Sequence, residues 1–240
     1  MGDHLSYWLR EIVQPNLAPA TYISFEGFVR LYITPGLGTK RLDRLQVRDV
    51  QTWINQVART CQRCAQEKDI ARPRGKQLCC ATGTCCRAVP SGSTIKGLRA
   101  TLRAALAQAV TEELVTKNVA SLVKLQVRRK KPGRAWHSDE ARQFLEAARA
   151  GDDPLYAAWV LILVLGLRRG ELLGLGWDEI DERAGELTVR WQLQRISNRL
   201  LRRETKTRES DAVLPLPDIC LTALRMRRGG SGRGPGCRRP

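Results

Sequence analysis

Two stretches hold the residue types best suited to chemistry on a phosphodiester. In LILVLGLRRGELLGLGWDEID (161–181), Arg168 and Glu171 stand three residues apart, just beyond a strongly apolar segment. A guanidinium is a natural ligand for a phosphodiester: its planar fork gives two parallel, charge-assisted hydrogen bonds to the non-bridging oxygens, and it does not deprotonate. A carboxylate one helical turn away can orient that fork. The same pair read alone is also an ordinary i,i+3 surface ion pair, worth about 0.2–0.5 kcal/mol. In ETKTRESDAVLPLP (204–217), Lys206 is an isolated lysine in a strand–turn–strand setting. A third group is sulfur. Cys61-x-x-Cys64, Cys79-Cys80 and Cys85-Cys86 place six of the eight cysteines within residues 61–86. C-x-x-C is a common zinc half-site, so four of these six are candidate ligands of a structural zinc, against the alternative of incidental cysteines in a basic loop. Disulfides are not expected in a cytosolic chain.

The elements that must position these groups follow from periodicity. Apolar residues recur at helical spacing over 4–14 and 19–33, with a break at Pro15–Pro19, and Pro35-Gly36 with Gly38 predicts a turn. Leu45 to Val57 predicts an amphipathic helix with Val50, Trp53, Ile54 and Val57 on one side. Residues 61–92 are cysteine-rich, basic and punctuated by Pro and Gly, which marks an insertion. Ser93 is the expected cap of a long helix to about Val115, with Ile95, Leu98, Leu102, Leu106 and Ala109 as its buried stripe. These elements make an all-helical domain over 1–126. Residues 127–135, with five basic residues around Pro-Gly, are the expected linker. Beyond it, 136–224 reads as α+β: a helix from His137 to about Ala150, an apolar helix opened by Pro154 and expected to be buried, strands in 185–195, and two further strands joined near Thr207–Ser210. A helix starts at Asp218, and 225–240 is an Arg/Gly-rich tail of low complexity.

The chain carries 41 Lys and Arg against 24 Asp and Glu, a net +17 with pI near 10.2. Such an excess calls for a polyanionic partner, nucleic acid above all. Lys96, Arg99 and Arg103 on the long helix, and Arg128, Arg129, Lys130 and Lys131 in the linker, are the expected phosphate contacts. The apolar run 155–167 is too short to span a bilayer, and the N-terminus lacks the build of a secretory signal. A cytoplasmic protein without membrane attachment is expected.

The order of features, an apolar helix running into GLRRGELLGLGWDEID, then strands, then TKT ahead of VLPL, resembles the tyrosine recombinase (phage integrase) family. Residues 93–120 are similar to the last long helix of that family's SAM-like core-binding module. The resemblance implies a helical core-binding domain followed by a partial mixed α/β catalytic domain, and a soluble protein of bacterial, phage or mobile-element origin. It implies site-specific DNA integration through a 3′-phosphotyrosyl intermediate, with no metal or nucleotide needed for catalysis because the covalent link stores the bond energy. Arg168 would polarise the scissile phosphate, Glu171 would support the Arg-bearing turn, and Lys206 would protonate the departing 5′-oxygen. The family pattern also needs a later H-x-x-R and a nucleophilic Tyr. Here the histidines are His4 and His137, and the tyrosines Tyr7, Tyr22, Tyr32 and Tyr156, all before Arg168. The expectation is a catalytically incomplete chain, truncated or frameshifted near residue 225, that self-associates or assembles with an intact recombinase on DNA. The alternative is a dead DNA-binding protein that occupies attachment sites or inhibits such a recombinase.

Overall fold

The computed structural model describes residues 1–70, 72–126, 133–204 and 212–230. It divides into two compact units, Met1–Lys131 and Pro132–Pro240.

The first unit is helical. Helix α1 (residues 2–16) is α-helical over Gly2–Tyr7, π-helical over Trp8–Val13, and α-helical again over Gln14–Asn16. Helix α2 (residues 19–37) likewise contains a π-helical stretch at Val29–Ile33 before Thr34–Leu37. Each π stretch ends just before a proline, Pro15 or Pro35. A proline has no N–H and its ring crowds the carbonyl four residues back; the wider π register, in which Gln14 N–H reaches the Leu9 carbonyl, accommodates both. So Pro35-Gly36 forms no turn but continues the helix, correcting the sequence expectation. Gly36 serves packing instead: a Cβ there would lie 2.2 Å from Trp53 Nε1.

Helix α3 (Val47–Arg59) starts where Asp49 accepts a hydrogen bond from the Gln46 N–H at 3.0 Å, and it buries Val50, Trp53 and Ile54. After the short α4 (Gln62–Ala65) and two 3-10 turns comes α5 (Gly92–Thr111). Its cap is Ser91 rather than Ser93: Ser91 Oγ accepts from Thr94 N–H at 3.2 Å, and the helix stops at Thr111, short of Val115. The stripe Ile95, Leu98, Leu102, Leu106 and Ala109 is buried as expected, and its first four residues join Leu5, Trp8, Ile33, Val50 and Trp53 in one core. His4 belongs to this core, its Nε2 2.9 Å from the Ala105 carbonyl.

The second unit is α+β. Helix α6 (Ser138–Ala150) begins with Glu140 accepting from His137 N–H at 3.0 Å. Helix α7 (Tyr156–Leu165) is the apolar one, ended by Gly166 in the left-handed region at φ 68°. It is not buried all round: Ala157, Val160 and Leu161 face the core, whereas Leu163 and Val164 are exposed. An apolar run cannot report which face is covered, because it has no polar side to mark solvent. Then come α8 (Arg169–Gly174), β1 (Ile180–Asp181), β2 (Glu186–Val189), β3 (Trp191–Ile196), β4 (Arg199–Glu204), β5 (Ala212–Pro215) and α9 (Asp218–Gly230).

The two later strands do not pair with each other, contrary to expectation. Strand β4 pairs antiparallel with β3 through a turn at Ser197 and Asn198, both at positive φ, while β5 pairs with β2 in the separate sheet β1-β2-β5. Leu187, Val189, Leu216, Cys220, Ala223 and Leu224 pack with the inner face of α7. The expected tail from residue 225 also begins as helix: Arg225 and Arg228 on α9 pair with Glu182 at 3.1 and 3.0 Å. Among the described residues, no helix is long and apolar enough to cross a membrane.

Candidate functional site

Arg168 sits at a junction the chain has to make sharply. Gly166 turns the chain out of α7, Leu167 is buried as an anchor, and Arg168 is the extended residue that opens α8. Glu171, in the first turn of α8, takes both halves of Arg168. Its Oε2 accepts the Arg168 backbone N–H at 2.9 Å, and its Oε1 accepts from Arg168 Nη1 at 2.8 Å. The carboxylate thus caps the helix and aims the guanidinium at once. Arginine offers no acceptor to return the cap. The Glu171 side chain is 15% exposed and that of Arg168 84%. With one Nη bound to the carboxylate, the remaining donors of the fork face outward, where an anion can reach them. Arg169 is also exposed.

Helix α8 is held by two features absent from the sequence expectation. First, Gly170 and Gly174 lie on its sheet side: a Cβ at Gly174 would sit 2.7 Å from the Trp191 carbonyl oxygen and 2.8 Å from Gln192 Cα. The helix backbone therefore rests directly on β3. Second, Arg202 of β4 reaches over the end of α8. It donates through Nε to the Gly174 carbonyl at 3.2 Å and through Nη2 to Glu179 at 3.1 Å, and its guanidinium lies 4.6 Å from the Trp191 ring centroid. The Glu179 side chain is 6% exposed and also accepts the Gly176 N–H at 2.6 Å. Glu179 and Arg202 are thus positioning residues. Local sequence carried no signal for their pairing, since they lie 23 residues apart and meet only when the β3–β4 hairpin folds back.

The other expected residues fall out as follows. Lys206 lies outside the described residues, as do Arg128, Arg129, Lys130 and Lys131. Lys96 and Arg103 are exposed on α5. Arg99, on the same helix, instead donates through Nε to the Ala120 carbonyl at 3.1 Å and through Nη2 to the Ser121 carbonyl at 2.7 Å, fastening the turn at Val119–Leu122. Cys61, Cys64, Cys79 and Cys85 bring their sulfurs within 4.8 Å of one another. Cys86 lies beside them, its Sγ 3.9 Å from that of Cys61, and the Cys80 side chain lies outside the description. Backbone N–H donation, chiefly from Cys64, draws the Cys61 thiol down to about 6.

Residues 1–58 match the family model of the phage integrase N-terminal SAM-like domain. The chain is 25% identical over 248 residues to a protein named tyrosine recombinase XerC-like from Caldanaerobacter subterraneus subsp. tengcongensis, covering 95% of this chain and 55% of that protein. It is also 25% identical over 228 residues to an integrase of Streptomyces ambofaciens, covering 93% and 50%. The chain thus spans about half the length of the curated relatives it matches. Among solved structures it resembles the Tn1549 transposon integrase in complex with a circular intermediate DNA, with TM-score 0.72 and 21% identity over 99% of this chain and 66% of that one. It also resembles a lambda integrase dimer bound to a core site, with TM-score 0.58 and 17% identity over 90% and 59%. At these identities the structural likeness concerns the fold.

Proposed function

From its membership of the tyrosine recombinase family, we propose that this chain binds duplex DNA and engages a backbone phosphate through Arg168. The observation that carries the reading is the outward-facing Arg168 guanidinium, braced by a nearly buried Glu171 on a helix seated against β3. A braced guanidinium loses less side-chain entropy on binding than a free one. In the complete reaction, Arg168 stabilises the charge that builds on the phosphate oxygens, and Lys206 gives its proton to the departing 5′-oxygen. Lys96 and Arg103, with the basic segment 128–131, neutralise neighbouring phosphates without reading sequence.

Residues 1–240 carry no tyrosine in the place where the family pattern puts its nucleophile. The four tyrosines all precede Arg168, and no histidine follows it. The reading is therefore a DNA-binding part of a protein for site-specific integration.

A labelled half-site duplex carrying a nick, which traps any covalent intermediate, tests the proposal with the full chain. The expected result is a gel shift that weakens steeply with salt and no protein–DNA adduct. Arg168→Ala should lower affinity on the order of tenfold, the scale of one charge-assisted contact. A covalent adduct would place a nucleophile within residues 1–240, against the family pattern. No shift at low salt would overturn DNA binding, and an unchanged affinity for Arg168→Ala would remove Arg168 from the interface.

A further inference from the structure

The insertion between α3 and α5 has no hydrophobic core of its own. Among the described side chains of residues 61–90, only Cys61, Asp69 and Cys79 are buried. The described backbone there forms one short helix, two 3-10 turns and irregular structure, with no strand. A segment of this kind needs a covalent or metal staple to keep one conformation.

We propose that Cys61, Cys64, Cys79 and Cys85 bind one zinc ion as a tetrahedral tetrathiolate. With Zn–S bonds of about 2.3 Å, tetrahedral geometry puts the sulfurs about 3.8 Å apart. The sulfur separations bracket that value: Cys64–Cys79 3.1 Å, Cys61–Cys79 3.5 Å, Cys79–Cys85 3.8 Å and Cys64–Cys85 3.9 Å. All four sulfurs lie within 4.8 Å of one another. They come from three places in the chain: the turn of C-x-x-C at α4, the 3-10 turn at Cys79–Thr82, and the stretch before α5. A metal there ties these places into one loop system.

Disulfides explain the cluster less well. A disulfide holds its sulfurs about 2.05 Å apart in exclusive pairs. Here even Cys64 and Cys79 stand 3.1 Å apart, and Cys79 has Cys61, Cys64 and Cys85 all as neighbours. Two backbone donors also point at the sulfurs: Cys86 N–H to Cys79 Sγ at 3.1 Å and Arg87 N–H to Cys85 Sγ at 3.4 Å. Such donors take up the excess negative charge of metal-bound thiolates. Residues 61–90 hold six Lys and Arg against two Asp and Glu, which offsets the two negative charges of a zinc tetrathiolate. Cys86 serves through its backbone and is not a ligand.

The domain core contains none of these cysteines, so the metal orders the insertion rather than the helices. Full-length protein, purified reduced and without chelator, should hold one zinc per chain by elemental analysis. Replacing the zinc with Co(II) should give the intense visible bands of a tetrahedral cobalt thiolate. Cys61→Ser, Cys64→Ser, Cys79→Ser and Cys85→Ser should each abolish those bands, while Cys86→Ser and Cys220→Ser keep them. Chelation should open residues 61–90 to protease and leave the helical circular dichroism unchanged. The proposal is overturned if the reduced wild-type chain, with its helical spectrum intact, holds no zinc and gives no such bands on Co(II) titration. It is equally overturned if Cys86→Ser loses the metal while Cys85→Ser retains it.

Discussion

Gly174→Ala and Gly170→Ala form a matched pair that isolates what seats the Arg168-bearing turn. Both add one methyl group to α8, and neither glycine has a positive φ, so alanine suits both backbones. In an open helix each change would stabilise by about 0.4–1 kcal/mol. Against this stands the space on the β3 side. At Gly170 the nearest atom to an added Cβ is the Leu193 carbonyl oxygen at 3.3 Å, a contact relieved by a shift of a few tenths of an ångström. At Gly174 the added Cβ meets three backbone atoms of Trp191 and Gln192 at 2.7–2.8 Å. Those atoms belong to a strand paired with β4 and cannot move alone. Overpacking of this kind costs about 1–3 kcal/mol. Gly174→Ala should therefore be destabilised by about 1–2 kcal/mol net, and Gly170→Ala should stay within about 1 kcal/mol of wild type. Thermal unfolding of the full chain reads this out, on the order of 4 °C per kcal/mol for a unit of this size. Gly174→Ala should also weaken DNA binding as the turn lifts from β3. Equal melting temperatures for the two variants, or a higher one for Gly174→Ala, would show that α8 does not rest on β3 as described.

Two further tests bear on the helical unit. The Lys40 side chain, 2.9 Å away, and the Gln46 N–H hold the Asp49 carboxyl below the ordinary carboxylate range. Its folded pKa is depressed, so the stability it contributes is full above the unfolded value near 3.9 and is lost as pH falls through the lower folded value. An NMR titration should place Asp49 below the value of an aspartate in a short unstructured peptide, and a midpoint at or above that reference would contradict the capping geometry. Ser91→Ala removes the acceptor for Thr94 N–H and should cost about 1 kcal/mol in denaturant unfolding, whereas Ser93→Ala should cost less than half of that. Equal losses would return the cap to Ser93.

Much of the helical unit was legible because its signal is local. The spacing of Leu98, Leu102 and Leu106 identifies a buried face whatever the helix packs against. The misreadings have local causes too. Pro35-Gly36 has the composition of a turn, yet the π-helical stretch ahead of it lets the helix continue, and the missing side chain admits Trp53. Ser91 and Ser93 are equally good caps by residue type, and only the hydrogen bond to Thr94 chooses between them. The strands after residue 185 could be recognised but not paired. Partner choice in a sheet is a contest between distant segments, and β5 found β2 rather than β4.

At the candidate site the division is the same. The sequence alone placed Arg168 and Glu171 one turn apart, a distance set by helical rise and independent of the rest of the chain. It also showed a strong positive charge and the C-x-x-C half-site. Only the tertiary structure decided that Glu171 is nearly buried while Arg168 faces solvent, because that depends on β3 and β4 closing beneath α8. Only it tied Arg99 to a pair of carbonyls, and only it brought the sulfurs of Cys61, Cys64, Cys79 and Cys85 within 4.8 Å of one another. Spacing along a helix or within a motif is a covalent property of the chain. Burial, pairing and convergence are set by contacts between segments far apart in sequence, and these exist only once the chain has folded.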